Sequence, residues 1–304
     1  MKHYGFIGCG MMGQEHLRNI ALLDDVEVTD FFEPDEEMAQ KTLALVPAAT
    51  RHSSFESLLG CDLDAFVITS PNHIHADQLK ALAAHPARVL VEKPLCTREA
   101  DLQDVLALGR DNDWWVAMEY RYMPSIQKLI EIVRSGDLGQ VHSLSIREHR
   151  FPFLPKVGDW NRFNRNTGGT LVEKCCHFFD LMRHILQSDP VRIYASGGQD
   201  VNHLDERYDG QTPDILDNAL VIVDFASGQR AMLELCMFAE GSRFQEEVCV
   251  VGSNAKVEAK VPGPTRFWNT ASGQAPTPEV IISPRNAPPV ETEVPVDPKL
   301  LKAG

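Results

Sequence analysis

The sequence predicts an α/β plus α+β chain: a doubly wound parallel sheet first, then an open, mostly antiparallel α+β region. Three observations carry that prediction. Strand and helix signals alternate through the first 120 residues, and a glycine-rich loop follows the first strand. Beyond about residue 120, strands are joined by short turns such as Ala226-Ser227-Gly228 and Gly252-Ser253-Asn254. At 304 residues the chain is expected to form two domains, placed at 1–120 and 121–304.

Taken in order, Tyr4-Gly5-Phe6-Ile7 reads as a buried strand and Gly8 to Gly13 as a tight loop. A helix from Gln14 to Leu23 places Leu17, Ile20 and Ala21 on one face. A strand from Val26 to Phe32 and a helix from Pro34 to Leu45 follow. The strand from Ala65 to Thr69 breaks at Ser70-Pro71-Asn72 and leads to a helix from Ile74 to Ala84. Next come a strand from Arg88 to Val91, the stop Glu92-Lys93-Pro94, a helix from Arg98 to Asn112 and a strand from Trp114 to Met118. A helix from Ser125 to Arg134 ends at Ser135-Gly136. Strands are then expected at Val141 to Glu148, Val191 to Ser196, Asn218 to Phe225, Ala231 to Phe238, Glu246 to Val251 and Ala255 to Val261. After Pro262 the chain reads as loops with one short strand near Val280-Ile281-Ile282.

A formal charge of −14 argues against gripping nucleic acid or an anionic membrane by bulk electrostatics. No apolar run approaches the ~20 residues of a membrane helix, and Met1-Lys2-His3-Tyr4 enters a strand at once, which favours the cytoplasm. Seven scattered cysteines without a C-x-x-C fit reduced thiols.

Gly8-Cys9-Gly10-Met11-Met12-Gly13 is a G-x-G-x-x-G loop. Its first glycine makes the turn, its second admits a pyrophosphate and its third lets helix pack on strand. The helix behind it offers free N–H groups and a positive dipole end to phosphate. Alone, such glycines serve ordinary turns equally well. Here an apolar strand precedes them, a helix follows, and Glu33 stands about twenty residues beyond the last glycine, at the end of the second strand. That is the Rossmann pattern for a nicotinamide dinucleotide. A carboxylate there accepts both ribose hydroxyls of NAD and repels the 2′-phosphate of NADP, and Glu33 to Glu37 contains no Arg or Lys to offset it.

Two further strand ends carry polar clusters: Thr69-Ser70-Pro71-Asn72-His73-Ile74-His75 and Glu92-Lys93-Pro94. Ligands of doubly wound sheets bind beyond such ends. Together these clusters resemble the Gfo/Idh/MocA family of oxidoreductases, which shows this T-x-P-N-x-x-H and E-K-P pair. The resemblance continues through Tyr120-Arg121-Tyr122-Met123-Pro124, Ser135 to Val141, and Gly168-Gly169 to Asp180. It implies hydride transfer between a nicotinamide and a carbinol carbon of a sugar, sugar derivative or inositol. It also implies a homo-oligomer, dimer or tetramer, formed through the open face of the C-terminal sheet. Lys93 falls on the family's E-K-P lysine, beside nicotinamide and reacting oxygen. Gly8, Gly10, Met11, Met12, Gly13, Glu33, Ser70, Pro71, Asn72, His75, Glu92, Lys93 and Arg121 are the expected cofactor contacts. By position, Trp160 and Arg165 lie near the pocket mouth and Arg121 borders the cofactor.

Gly168 to Asp180 holds the expected acid/base pair. Its pattern is helical, with Val172, Cys176, Phe179 and Met182 near one stripe. Glu173 and His177, at i and i+4, would share a face, and a carboxylate beside an imidazole raises its basicity. The family pattern is G-G-G-x-x-D-x-x-x-H-x-x-D; His177 and Asp180 match it, Glu173 replaces Asp, and Thr170 replaces the third glycine. Lys93, His177 and Glu173 are thus the expected catalytic residues; they and Trp160 and Arg165 are the expected substrate contacts. A capped helix with an incidental Glu–His pair is the plain alternative. Cys175-Cys176-His177 suggests zinc, but adjacent helical cysteines point about 100° apart, so no metal is assigned.

Arg147, Arg150, Lys156, Arg162 and Arg165, interleaved with Phe151, Phe153, Trp160 and Phe163, form a locally basic stretch. It fits a solvated loop or an interface segment, with contact to an anionic sugar as the alternative. Family members usually continue past Lys299-Leu300-Leu301 into a helix, so the C-terminal end is expected to be short or incomplete. Beside the dehydrogenase reading stand a dinucleotide-sensing protein without turnover and an NAD-using glycoside-cleaving enzyme.

Overall fold

The structure, a computed structural model, describes residues 1–110, 113–265, 268, 273 and 275–295. Among the described residues the chain divides into two units, one of residues 1–118 with 155–173, the other of residues 119–154 and 174–295. The first change of unit falls between residues 118 and 119, and segment 155–173 groups with the N-terminal residues. Segment 155–173 has no strand and no long helix to announce that it belongs with the N-terminal residues.

The first unit is built on six parallel strands: β1 (Lys2–Ile7), β2 (Val26–Phe32), β3 (Thr50–His52), β4 (Ala65–Ile68), β5 (Arg88–Val91) and β6 (Trp114–Val116). Their order, β3-β2-β1-β4-β5-β6, is that of the Rossmann fold. Helices α1 (Met11–Ile20), α2 (Glu36–Leu45), α3 (Phe55–Leu59), α4 (His75–Leu82) and α5 (Glu99–Leu106) connect them. Alternation along the strands builds two cores. Ile7, Phe66 and Ile68 pack with Leu79 and Leu82 on one face; Phe6 and Val67 pack with Leu17 and Phe31 on the other. Each such burial is worth about 1.5–3 kcal/mol. Strand β3 and helix α3 were not expected, being too short to carry a period. Helix α1 starts three residues earlier than its apolar stripe suggests, because Gly10 caps it. Helix α5 ends at Leu106, short of the expected end at Asn112, which itself lies outside the described residues.

The second unit has eight strands among the described residues: β7 (Val141–His149), β8 (Pro190–Gly198), β9 (Asn218–Phe225), β10 (Arg230–Cys236), β11 (Glu246–Gly252), β12 (Ala255–Val261), β13 (Glu279–Pro284) and β14 (Val290–Glu293). Their order is β14-β13-β12-β11-β7-β10-β9-β8; β7 and β10 run parallel and the other pairs antiparallel. Strand β14 falls where only loop was expected. Helix α6 (Pro124–Ser135) packs on β12 and β13. The opposite face carries a cross-strand row of exposed apolar side chains, Tyr194, Ile222 and Met232, at 67%, 52% and 42% exposure.

The segment expected to form one helix is broken. After α7 (Asn164–Thr167), α8 (Thr170–Glu173) stops, and α9 (Cys176–Leu186) begins after Lys174 and Cys175. Helical i, i+4 geometry therefore does not join Glu173 to His177. The buried stripe of α9 is Phe178, Leu181, Met182 and Ile185, one residue out of phase with the expected Cys176 and Phe179.

Candidate active site

A cavity of about 630 Å³ opens at the carboxyl ends of the first unit's strands. The glycine loop forms one wall. Gly8 has φ +82°, and a Cβ there would stand 2.8 Å from the Ser70 backbone, so the turn tolerates no side chain. At Gly13 a Cβ would meet Thr69 Oγ1 at 2.8 Å, so the third glycine serves loop packing and does not line the cavity. Gly10 differs: nothing lies within 4 Å of its Cβ position. Open space there, at the start of α1 with no side-chain cap, is the cradle a pyrophosphate needs. The residues present fit a dinucleotide.

At the other end, Glu33 is buried and accepts hydrogen bonds from the backbone N–H groups of Cys9 and Asp35, the latter at 2.8 Å. Those bonds fix a carboxylate at the cavity edge, where its remaining lone pairs suit ribose hydroxyls. The neighbourhood is less uniformly acidic than the local sequence suggests, because Arg18 from α1 and Lys41 from α2 also line the cavity. Lys41 is paired with Glu37 at 2.6 Å.

Of the remaining expected contacts, Met11, Met12, Ser70, Pro71, Asn72, Glu92, Lys93, Trp160 and Glu173 all line this cavity. Lys93 Nζ donates to the Glu173 carbonyl oxygen at 3.2 Å, across eighty residues of chain. Glu92 is fixed by His16 at 2.7 Å and by the Lys93 backbone N–H at 3.1 Å. Burial would raise its carboxyl, but the His16 hydrogen bond and the Lys93 charge outweigh it and hold Glu92 below the ordinary carboxylate value. His75 corrects expectation. It is fully buried, and its ring nitrogens lie 3.0 Å from the carbonyls of Pro94 and Ser70, tying the two loops together behind the cavity.

Sequence reasoning missed two features of the site: His16, which holds the lining residue Glu92, and Lys156, which lines the cavity itself. His16 was legible only as a polar residue three places beyond Gly13 on α1. Lys156 was one of five basic residues in a stretch, yet it alone of them lines the cavity. Its ammonium lies 5.6 Å from the centre of the Trp160 ring, with no hydrogen-bond acceptor among the described residues. Burial, then the Lys93 charge, pushes it below the ordinary lysine value. Arg165 is not in the lining; its guanidinium stacks on Phe163 at 3.9 Å.

His177 and Arg121 belong to the second unit. Arg121 is held by Asp180 in a two-pronged ion pair, with Nε to Oδ2 at 2.5 Å. His177 is buried; its Nε2 lies 3.4 Å from Glu119 Oε1 and its ring stacks on Tyr120 at 4.3 Å and 6°. Glu119 thus provides a carboxylate neighbour within this unit. Burial pushes the Cys175 thiol well above its ordinary value, which disfavours thiolate chemistry there.

Elsewhere in the first unit, Asp30, His52 and Cys61 converge. His52 Nε2 is 2.8 Å from Asp30 Oδ1, a hydrogen-bond distance and closer than the about 3.3 Å that separates two ligands of a tetrahedral zinc. We assign hydrogen bonding there. All seven cysteines are free thiols, and no helix among the described residues is long and apolar enough to cross a membrane.

The chain is similar to proteins of known family. Residues 2–120 match the NAD-binding Rossmann fold of an oxidoreductase family, and residues 130–282 match that family's C-terminal alpha/beta domain. It is 26% identical over 234 residues to oxidoreductase YrbE of Bacillus subtilis, covering 76% of this chain and 65% of that one. It is 25% identical over 233 residues to the myo-inositol 2-dehydrogenase of Thermotoga maritima, covering 76% and 67%. The chain thus spans about two thirds of the length of these relatives. Among solved structures, the WlbA dehydrogenase of Bordetella pertussis, in complex with NADH and UDP-GlcNAcA, shares the fold with a TM-score of 0.73 at 18% identity, over 85% of this chain and 73% of that one. With matches spanning both the nucleotide fold and the second domain, the chain belongs to the Gfo/Idh/MocA family of oxidoreductases.

Proposed function

We propose that this protein is an NAD-dependent dehydrogenase acting on a secondary hydroxyl of a sugar, sugar derivative or inositol-like polyol. The observation that carries the reading is one cavity lined by Gly10, Glu33, Lys93 and Glu173. Bound NAD supplies the hydride acceptor. Lys93 donates a hydrogen bond to the reacting oxygen and stabilises developing alkoxide charge. His177 takes the hydroxyl proton, and Glu173 binds and orients a neighbouring hydroxyl. The myo-inositol relative supports the substrate class. The surplus ammonium of Lys156 favours a substrate that carries an acidic group. The Tyr194, Ile222 and Met232 row supports a homo-oligomer through the open sheet face.

The test is a NADH-fluorescence screen with sugars, sugar acids and inositols, with NADP in parallel. Net NADH accumulation supports the dehydrogenase. Cofactor recycling without net change supports a glycoside-cleaving enzyme, and binding without turnover a sensor. On an identified substrate, Lys93→Ala is expected to lower kcat about 10²–10⁴-fold; undiminished turnover would overturn the mechanism.

A further inference from the structure

The second unit buries a charged cluster that the proposed chemistry leaves unused. Glu148 of β7 and Glu246 of β11 are direct cross-strand partners, and both are buried. Two carboxylates so placed repel each other. Lys174, just before α9, supplies a cation to this pair: its Nζ lies 2.9 Å from Glu148 Oε1 and donates to Tyr120 Oη at 2.6 Å. Tyr120 in turn donates to Glu246 Oε1 at 3.0 Å. Arg150 reaches Glu148 at 3.3 Å, and the Gln245 amide donates to Glu246. Opposite Glu246 on β12 stands apolar Val261.

Such a cluster costs several kcal/mol per ion to desolvate, and hydrocarbon of the same volume would fill the space at less cost. Its position gives it another use. Tyr120, gripped at its hydroxyl from both sides, lays its ring flat on the imidazole of His177. We propose that Tyr120, Glu246 and Lys174 are positioning residues for His177: the clamp fixes the ring plane, and the surrounding charges set how readily the imidazole takes a proton. This rests on the reading of His177 as the acid/base group.

Titration of the cluster agrees with that role. Burial, reinforced by the Glu148 charge, pushes Glu246 up to about 7, against the opposing pull of Lys174 and Arg150. Burial also holds the Tyr120 phenol well above its ordinary value, and so neutral, while pushing Lys174 down; Glu119 adds a further negative charge near Tyr120. The cluster therefore changes its charge near neutral pH while the stacked ring stays uncharged.

The experiment is an NMR titration of the His177 imidazole in the full chain, with the resonance assigned by its loss in His177→Asn. Glu246→Gln removes a negative charge and is expected to lower the His177 midpoint by about half a unit; Lys174→Met removes a positive charge and should raise it. Tyr120→Phe keeps the stack and its ring-current shift but releases the clamp, so the imidazole signal broadens or splits. Opposite-signed shifts are not what a merely structural cluster produces. Should Lys174→Met fail to fold, Glu246→Gln and Tyr120→Phe decide the matter. Unchanged His177 midpoint and line shape in both would overturn the proposal. The readout needs no substrate, so absent turnover would defeat the dehydrogenase reading without touching this result.

Discussion

The cavity of the first unit and the buried cluster of the second are both polar sites, made in opposite ways. The cavity is made of backbone: a glycine turn, a helix start, three strand ends and a carboxylate pinned by two N–H groups. The cluster is made of side chains from four separate chain segments, held together by burial and opposite charge. A site of the first kind should lose ligand without losing the fold, and one of the second kind should lose the fold first.

The largest effect is expected at Lys174. Lys174→Met takes from Glu148 and Glu246 one of the two cations they share, leaving Arg150 alone at 3.3 Å from Glu148, and is expected to cost about 3–5 kcal/mol in chemical denaturation; a loss under 1 kcal/mol would break the comparison. Next comes Gly10→Val. Its Cβ meets nothing in the protein, so the melting temperature should hold while NADH affinity falls about 100-fold. Gly8→Val, strained by φ +82° and a 2.8 Å backbone contact, should instead unfold more readily.

The smallest effects are those of pH. Asp217 accepts three backbone N–H bonds, from Asp200, Val201 and Asn202, which outweigh its burial and hold it below the ordinary value. A depressed carboxylate stabilises the fold above its unfolded value of 3.8, and that contribution fades as pH falls through the folded value. Asp217→Asn should therefore cost about 1–3 kcal/mol at pH 7 and progressively less below pH 4. Glu246 has the opposite sign. Its folded value of about 7 exceeds the reference 4.5, so the folded state binds more protons between them and stability falls as pH rises through that window. Glu246→Gln should flatten this slope in denaturation curves taken from pH 4.5 to 7.

The same contrast explains what was legible. Gly8, Gly10, Gly13 and Glu33 could be read because each answers a local backbone demand at fixed spacing. Lys93 and Glu173 were found through motifs, and their meeting across the cavity was not visible in either motif alone. The break after Glu173 escaped notice because an apolar stripe continues across Lys174 and Cys175. Lys156 stayed hidden because segment 155–173 has no period to show which unit it joins. The cluster did leave a trace. Leu144, Ile146 and Glu148 alternate inward on β7, as do Glu246, Val248 and Val250 on β11, so each buried row has a glutamate at one end. A charge at an inward strand position is a signal that period-2 reading can catch.

The central claim is that the glycine loop and Glu33 make the first unit a site for NAD. Fluorescence titration of the full chain with NADH and NADPH tests it most directly. NADH is expected to bind at least about tenfold tighter, a difference of about 1.4 kcal/mol, with the preference lost in Glu33→Ser. Equal or tighter binding of NADPH, through Arg18 and Lys41, or no binding of either, would contradict the account.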